Sequence, residues 1–171
     1  NEMYDLETLR FMDKNENIIF IGTSGVGKTH LAVAIGMAAA KKRISTYYIT
    51  FNDLINQLMK ANSENRADIK IKYFCKYKLL IIDEIGYLPI TKEGAYLFFQ
   101  LINKRYEKKS TILTTNQIFS KWPEVFGDSV VTAAIVDRLV HHSHIIKING
   151  KSYRIKDRNV VLKKSVDKEY E

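Results

Sequence analysis

A single α/β domain built on a parallel sheet is the fold class predicted by three features of this sequence. Short apolar runs alternate with segments of helical period, a glycine-rich stretch joins the first run to the first helix, and the run at residues 79–82 is apolar throughout. Continuous apolar runs suit parallel strands covered on both faces. Strand–helix alternation in turn implies right-handed crossovers and a ligand at the carboxyl ends of the strands.

The elements follow in order. Residues 18–21 form the first expected strand, and after the glycine stretch residues 30–40 read as a helix with Leu31, Ala34, Ile35 and Ala38 at helical spacing. Lys41, Lys42 and Arg43 close it, where cations suit the helix dipole. Residues 45–51, STYYITF, are β-branched and aromatic and predict a strand, and Leu54, Ile55, Leu58 and Met59 then resume a helical period. The strand at 79–82 ends in Asp83. Thr91 can cap a helix whose apolar positions are Ala95, Phe98, Phe99, Ile102 and Tyr106. A short strand at 111–115, a helix at 129–140 and a last strand near 143–148 complete the pattern, and no repeat, low-complexity tract or Pro/Gly-rich linker divides the chain.

The 171 residues are close to the commonest size of one domain. They carry 27 Lys+Arg against 19 Asp+Glu, a formal charge of +8, which favours acidic partners such as nucleic acid or nucleotides. Cys75 is the only cysteine, so an intrachain disulfide and a Cys-rich zinc site are excluded, and a reducing, cytoplasmic setting is expected. No apolar run approaches the roughly 18 residues of a membrane helix and no signal-peptide pattern opens the sequence, so no membrane partner is expected. Asn1 is not a methionine, and the chain is expected to begin partway through a gene product.

The chemistry concentrates in GTSGVGKT, residues 22–29. Between a strand and a helix this pattern is a phosphate-binding P-loop: Gly22, Thr23, Ser24, Gly25, Val26 and Gly27 wrap the backbone around an anion, with N–H groups at the helix start pointing inward. Lys28 then meets the β/γ-phosphates, and the Thr29 hydroxyl is a ligand for Mg²⁺. His30 is grouped with this nucleotide-binding set, as packing or loop support rather than as a catalyst. LLIIDE at 79–84 supplies the second signal. A carboxylate at the end of a buried strand beside a P-loop holds Mg²⁺, the role expected of Asp83, and Glu84 would orient or deprotonate the attacking water. The bland alternative is a strand-end pair facing solvent.

Residues 83–86 also fit the DxxG switch of GTPases, yet a guanine reader is missing. In Asn103, Lys104, Arg105 and Tyr106 a tyrosine replaces the specifying carboxylate, and Thr115, Asn116 and Gln117 lack it too, so ATP is the expected nucleotide. The strand at 111–115 can lie between the P-loop strand and the Asp83 strand, which would place Asn116 near the γ-phosphate. An ordinary turn asparagine is the competing reading.

GTSGVGKTHLA, LLIIDEIGYLP, the TTN ending at Asn116, FGDSVVTAAIVDRLVHHSHII and GKSYR together resemble the IstB-like ATPases of the AAA+ superfamily, helpers of insertion-sequence transposition akin to DnaC helicase loaders. The resemblance covers residues 17–154, and GYLP, DRLVHH and SYR are more specific than the P-loop. It implies a P-loop NTPase of AAA+ type with about five parallel strands and no separate helical lid, a core at about 15–155 and a basic tail at 156–171. It also implies an Mg²⁺-dependent ATPase that assembles on DNA as a homo-oligomer and serves a transposase or, alternatively, loads a replicative helicase. Asn116 would be the sensor-1 residue, Arg138 the arginine finger and Arg154 the sensor-2 arginine. The resemblance also implies an N-terminal helical region that engages the partner, which these 171 residues are not expected to include. A small-molecule P-loop kinase and a nucleotide-gated interaction module are the alternatives from other classes.

From the residues alone, Arg138 can equally be a surface cation near a helix end, and Arg154, among Lys147, Lys151, Lys156 and Arg158, part of a solvated basic face. Adjacent histidines at a helix end rarely converge on one ion, and with no carboxylate or cysteine beside them no metal is assigned to His141, His142 and His144. Two basic stretches can meet DNA phosphates or be solvated faces: one with Lys70, Lys72 and Lys76 around Tyr73 and Tyr77, the other including Lys151. Neither resembles a base-reading motif, so DNA contact is expected to be backbone-directed and weakly sequence-specific.

Overall fold

The structure, a computed structural model, describes Leu6, residues 8–150 and Ser152. Its five strands are β1 (Asn17–Ile21), β2 (Thr46–Thr50), β3 (Leu79–Ile85), β4 (Ser110–Thr115) and β5 (Ser143–Lys147). They form one all-parallel sheet in the order β2-β3-β4-β1-β5. The helices are α1 (Arg10–Asp13), α2 (Lys28–Lys41), α3 (Phe51–Ser63), α4 (Ala67–Cys75), α5 (Lys92–Arg105), α6 (Trp122–Phe126) and α7 (Ser129–Val140). The expected strand count and parallel arrangement are both present. Among the described residues no helix is long and apolar enough to cross a membrane.

Strand alternation divides the core in two. Ile18 and Phe20 of β1 join Ile81 and Ile112 against Ala32, Ile35 and Ala39 of α2, whereas Ile19, Ile21, Leu80, Ile82 and Leu113 face the opposite layer of α3, α4, α5 and α7. All residues of β1 and β4 are buried, which explains the unbroken apolar character of the central runs.

The structure departs from the sequence expectation at three places. Phe51, expected to end a strand, instead begins α3, because the Thr50 hydroxyl accepts the Asp53 N–H and caps the helix while the Phe51 ring packs edge-on against Phe98 and Phe126. The lysine-rich stretch after residue 66 contains a helix of its own, α4, whose Ile71 and Phe74 are the buried positions. Between β4 and α7 a short 3₁₀ turn, Phe119–Lys121, leads into α6, with Pro123 in its first turn and Trp122 fully buried. The expected Thr91 cap is present, its hydroxyl accepting the Gly94 N–H at 3.1 Å.

Arg105, 1% exposed, ties the α3–α7 layer to the sheet. Its guanidinium donates to the carbonyls of Phe74, Tyr77 and Ser110 and to the Thr111 hydroxyl, joining the end of α4, the turn before β3 and the start of β4. Burial pulls its pKa down to about 10, which leaves it charged at neutral pH. Arg105→Leu removes these donors from three carbonyls, and since each orphaned buried acceptor costs roughly 1–3 kcal/mol we expect a loss of about 3 kcal/mol or more in urea unfolding. An unchanged midpoint would show that the fork stabilises nothing.

Candidate nucleotide-binding site

β1 ends at Ile21 and the chain turns at once into the glycine loop. Gly27, at φ +99°, precedes α2 in a conformation that strains any other residue, and no side chain caps the helix that starts at Lys28. The first N–H groups of α2 are therefore left for the hollow of the loop, where they and the helix dipole favour an anion. Lys28 is buried, and its ammonium donates to the carbonyls of Gly22 and Thr23 at 2.7 and 2.8 Å. It thus sits inside the loop with its charge aimed at the loop's own oxygens.

Asp83 lies at the carboxyl end of β3 and is 2% exposed. Three hydroxyls converge on it. Thr29 donates toward both oxygens at 3.1 Å, Tyr48 donates to Oδ2 at 2.7 Å, and Thr114 donates to Oδ1. A buried carboxylate needs such donors to offset its lost hydration. Thr29 and Asp83 therefore make a compact all-oxygen set beside the phosphate loop, the donor chemistry that Mg²⁺ takes.

The next residue faces the other way. The β3–β4 register slips between Ile82 and Ile85, and Glu84 adopts φ +66° with its N–H donated to the Thr114 hydroxyl at 2.8 Å. This irregularity keeps Asp83 inside and leaves Glu84 exposed on the wall of the cleft. The cleft has a volume of about 710 Å³ and brings together Gly25, Gly27, Lys28, Thr29, His30, Asp83 and Glu84 of the expected set. It adds Tyr48, Thr50, Tyr87 and Thr114, which reading the sequence missed.

The remaining expected residues are placed less uniformly. The Ser24 hydroxyl meets the Tyr87 hydroxyl at 3.0 Å, tying the P-loop to the residues after β3. Val26 is buried, with its side chain turned toward Gly22, so only its backbone is available to a ligand. β4 does lie between β1 and β3, and Thr115 pairs with both Ile21 and Ile85, so Asn116 emerges between the P-loop strand and the Asp83 strand. Its Oδ1 is buried without a hydrogen-bond partner, and a side chain at Gly86 would come within 3.3 Å of it. Gly86 itself has φ +98°.

Arg138 is far from this cleft. Its Nε donates to Asn103 Oδ1 at 2.6 Å, its guanidinium lies 5.3 Å from the Phe99 ring, and the end of α7 bonds Asn17 at the start of β1. The P-loop begins at the other end of that strand, four steps of ~3.3 Å away. The expectation that no carboxylate stands beside the histidines is corrected by the fold. Glu107, after α5, comes to His142 Nε2 at 3.1 Å, and one donor atom each from Glu107, His141 and His142 lie within 4.8 Å of one another on exposed surface. His144 is held apart by Glu16 at 2.8 Å. Lys70 and Lys76 place their ammonium groups 4.9 and 6.0 Å from the Tyr73 ring, and Lys72 is exposed. Arg154 and Lys151 lie outside the described residues.

A glycine loop after β1, a carboxylate at the end of β3 and a sheet in which β4 separates them define a P-loop NTPase of the AAA+ type. The chain belongs to the family of IstB-like ATP binding proteins, whose model matches residues 1–161. It is 59% identical over 156 residues to a protein named for ATP binding in insertion sequence IS232 of Bacillus thuringiensis subsp. berliner, covering 91% of this chain and 62% of that one. To the corresponding product of IS5376 of Geobacillus stearothermophilus it is 46% identical over 163 residues, covering 95% and 65%. The chain thus spans less than two thirds of these relatives' length. Among solved structures, the DnaC helicase loader superposes with a TM-score of 0.72 at 26% identity over 86% of each chain. Replication initiator DnaA bound to AMPPCP and single-stranded DNA shares the fold at 0.72, with 20% identity over 96% of this chain and 51% of that one.

Lys28→Ala removes the one ammonium inside the loop. We expect ATP affinity in calorimetry to fall by at least ~100-fold, the scale of a charged hydrogen-bonding group lost from an anion site. Undiminished affinity would contradict the P-loop assignment.

Proposed function

We propose that this chain is the ATPase module of an assembly that forms on DNA and assists a transposase. The observation that carries the reading is the convergence of Lys28, Thr29, Asp83 and Glu84 on one cleft, in a chain whose relatives are insertion-sequence products named for ATP binding. In this reading Lys28 and the N–H groups at the start of α2 hold the β- and γ-phosphates, and Thr29 and Asp83 hold Mg²⁺. The cation supplies neutralisation of the phosphate charge. Glu84, turned into the cleft by its left-handed backbone, takes the proton of the attacking water, and Asn116 orients that water or the γ-phosphate. Arg138 acts on the nucleotide of a neighbouring copy, a reading supported by its place near the amino ends of the strands, opposite the end that carries its own cleft. Arg154 is assigned the sensor-2 role that the family resemblance implies.

A DnaC-like role in loading a replicative helicase is the second reading, favoured by the likeness to the DnaC helicase loader over most of both chains. DNA contact is assigned to α4 and the residue that follows it, where Lys70 and Lys76 lie near the Tyr73 ring and Lys72 is exposed, and the formal +8 charge supports it. Lys151, in the second basic stretch of the sequence, is proposed as a further phosphate contact.

Turnover measured with and without DNA tests the proposal against its rivals. The assembly ATPase should be stimulated by DNA. A small-molecule kinase should ignore DNA, and a nucleotide-gated module should turn over little in either case. We expect Glu84→Gln to bind ATP normally while hydrolysing it at least ~100-fold more slowly, within the range of general-base contributions. Normal turnover would remove Glu84 from the mechanism. For DNA, log affinity should fall with log salt by about 0.9 per phosphate neutralised, so replacing Lys70, Lys72 and Lys76 with glutamine should flatten the slope by up to ~2.7. An unchanged slope would move the interface off α4.

A further inference from the structure

We infer that Tyr48 is a positioning residue for the metal site, its hydroxyl holding the Asp83 carboxylate in the orientation that receives a divalent cation. The inference rests on the nucleotide-site reading above and adds to it a residue outside both sequence motifs. Carboxylate torsions are broad and roughly two-fold, so a strand-end aspartate needs external holds to present one fixed face. Asp83 has two that are independent of the P-loop, and they come from the strands on either side of β3. Thr114 of β4 takes Oδ1 and Tyr48 of β2 takes Oδ2 at 2.7 Å. The third donor, Thr29, belongs to the loop and is itself a candidate ligand.

Register explains why a tyrosine serves here. Thr50 is the β2 residue opposite Asp83, whereas Tyr48 is opposite Ile81, two positions upstream on the same face. Two strand residues span about 6.6 Å. A serine or threonine at position 48 would fall short of the carboxylate, and a phenol carries its hydroxyl across that gap. The ring remains 44% exposed along the cleft, so it is not committed to the core. Burial first, and then the hydrogen bond and charge of Asp83, push the Tyr48 pKa up, so the group stays a proton donor throughout the ordinary pH range.

The test uses Mn²⁺ as a spectroscopic stand-in for Mg²⁺ and a fluorescent ATP analogue, with wild type, Tyr48→Phe, Asp83→Asn and the double variant. Binding of the analogue is measured in EDTA and over a Mn²⁺ titration, with bound Mn²⁺ followed by electron paramagnetic resonance. Tyr48→Phe should leave metal-free affinity within about twofold of wild type while weakening Mn²⁺ binding in the nucleotide complex about tenfold, as expected for one hydrogen bond to a charged group. In the Asp83→Asn background the same substitution should add nothing, because Tyr48 acts through that carboxylate. The proposal is overturned if Tyr48→Phe keeps the wild-type Mn²⁺ dependence, if it changes metal-free and metal-bound affinity alike, or if its effect persists without Asp83. Wild type that binds the analogue with no metal dependence would instead sink the nucleotide-site reading on which the proposal stands.

Discussion

The insertion of β4 between β1 and β3 is the constraint on which the rest of the site depends. It sets the hydroxyl of Thr114 beside Asp83, and it sets Thr115 against both the last residue before the P-loop and the end of β3. A carboxylate buried to this extent is costly unless donors surround it. The parallel register supplies them from β2 and β4, while α2 supplies Thr29 from above. The same neighbour accepts the Glu84 N–H, so one threonine both holds the buried acid and fixes the turn that exposes the next one. Two adjacent carboxylates thereby face different environments, the arrangement needed for one to bind a cation and the other to handle a proton.

The parts of this site legible in the sequence are those whose logic is local. Residues 22–29 announce a phosphate loop because the spacing of glycines, lysine and threonine within eight positions already states the chemistry, and Asp83 is marked by the apolar run that ends in it. Tyr48 and Thr114 were not legible as site residues. Their roles follow from the pairing of strands some 30 residues apart, which no local pattern encodes. The same reason explains Glu107, whose approach to His141 and His142 depends on how the end of α5 meets the end of α7. Phe51 misled for a different reason: its aromatic, β-branched surroundings favour a strand, and the cap provided by Thr50 together with packing on Phe98 and Phe126 overrides that preference.

Charge distribution along the sheet gives the molecule two unlike ends. At the carboxyl ends of the strands lies a cleft with a buried ammonium, a buried carboxylate and an exposed one. Near the amino ends lies Arg138, held over Phe99 and against Asn103. A head-to-tail arrangement of identical copies joins unlike surfaces and can bring one end against the other. A shared site of this kind would make hydrolysis conditional on assembly, in keeping with the proposed work of an oligomer on DNA.

The proposed sharing is open to one direct measurement. Lys28→Ala keeps Arg138 but lacks a working P-loop, and Arg138→Ala keeps the P-loop but lacks the arginine. Each alone should be nearly inactive: Lys28→Ala through lost ATP binding, and Arg138→Ala with turnover slowed on the order of 10³-fold, the scale of arginine fingers in other P-loop enzymes. Mixed on DNA, the two should form interfaces that pair the intact loop with the intact arginine, and activity should rise well above the sum of the separate variants. If mixtures shown to co-assemble recover no activity, Arg138 does not act on a neighbour's nucleotide and the shared site is contradicted.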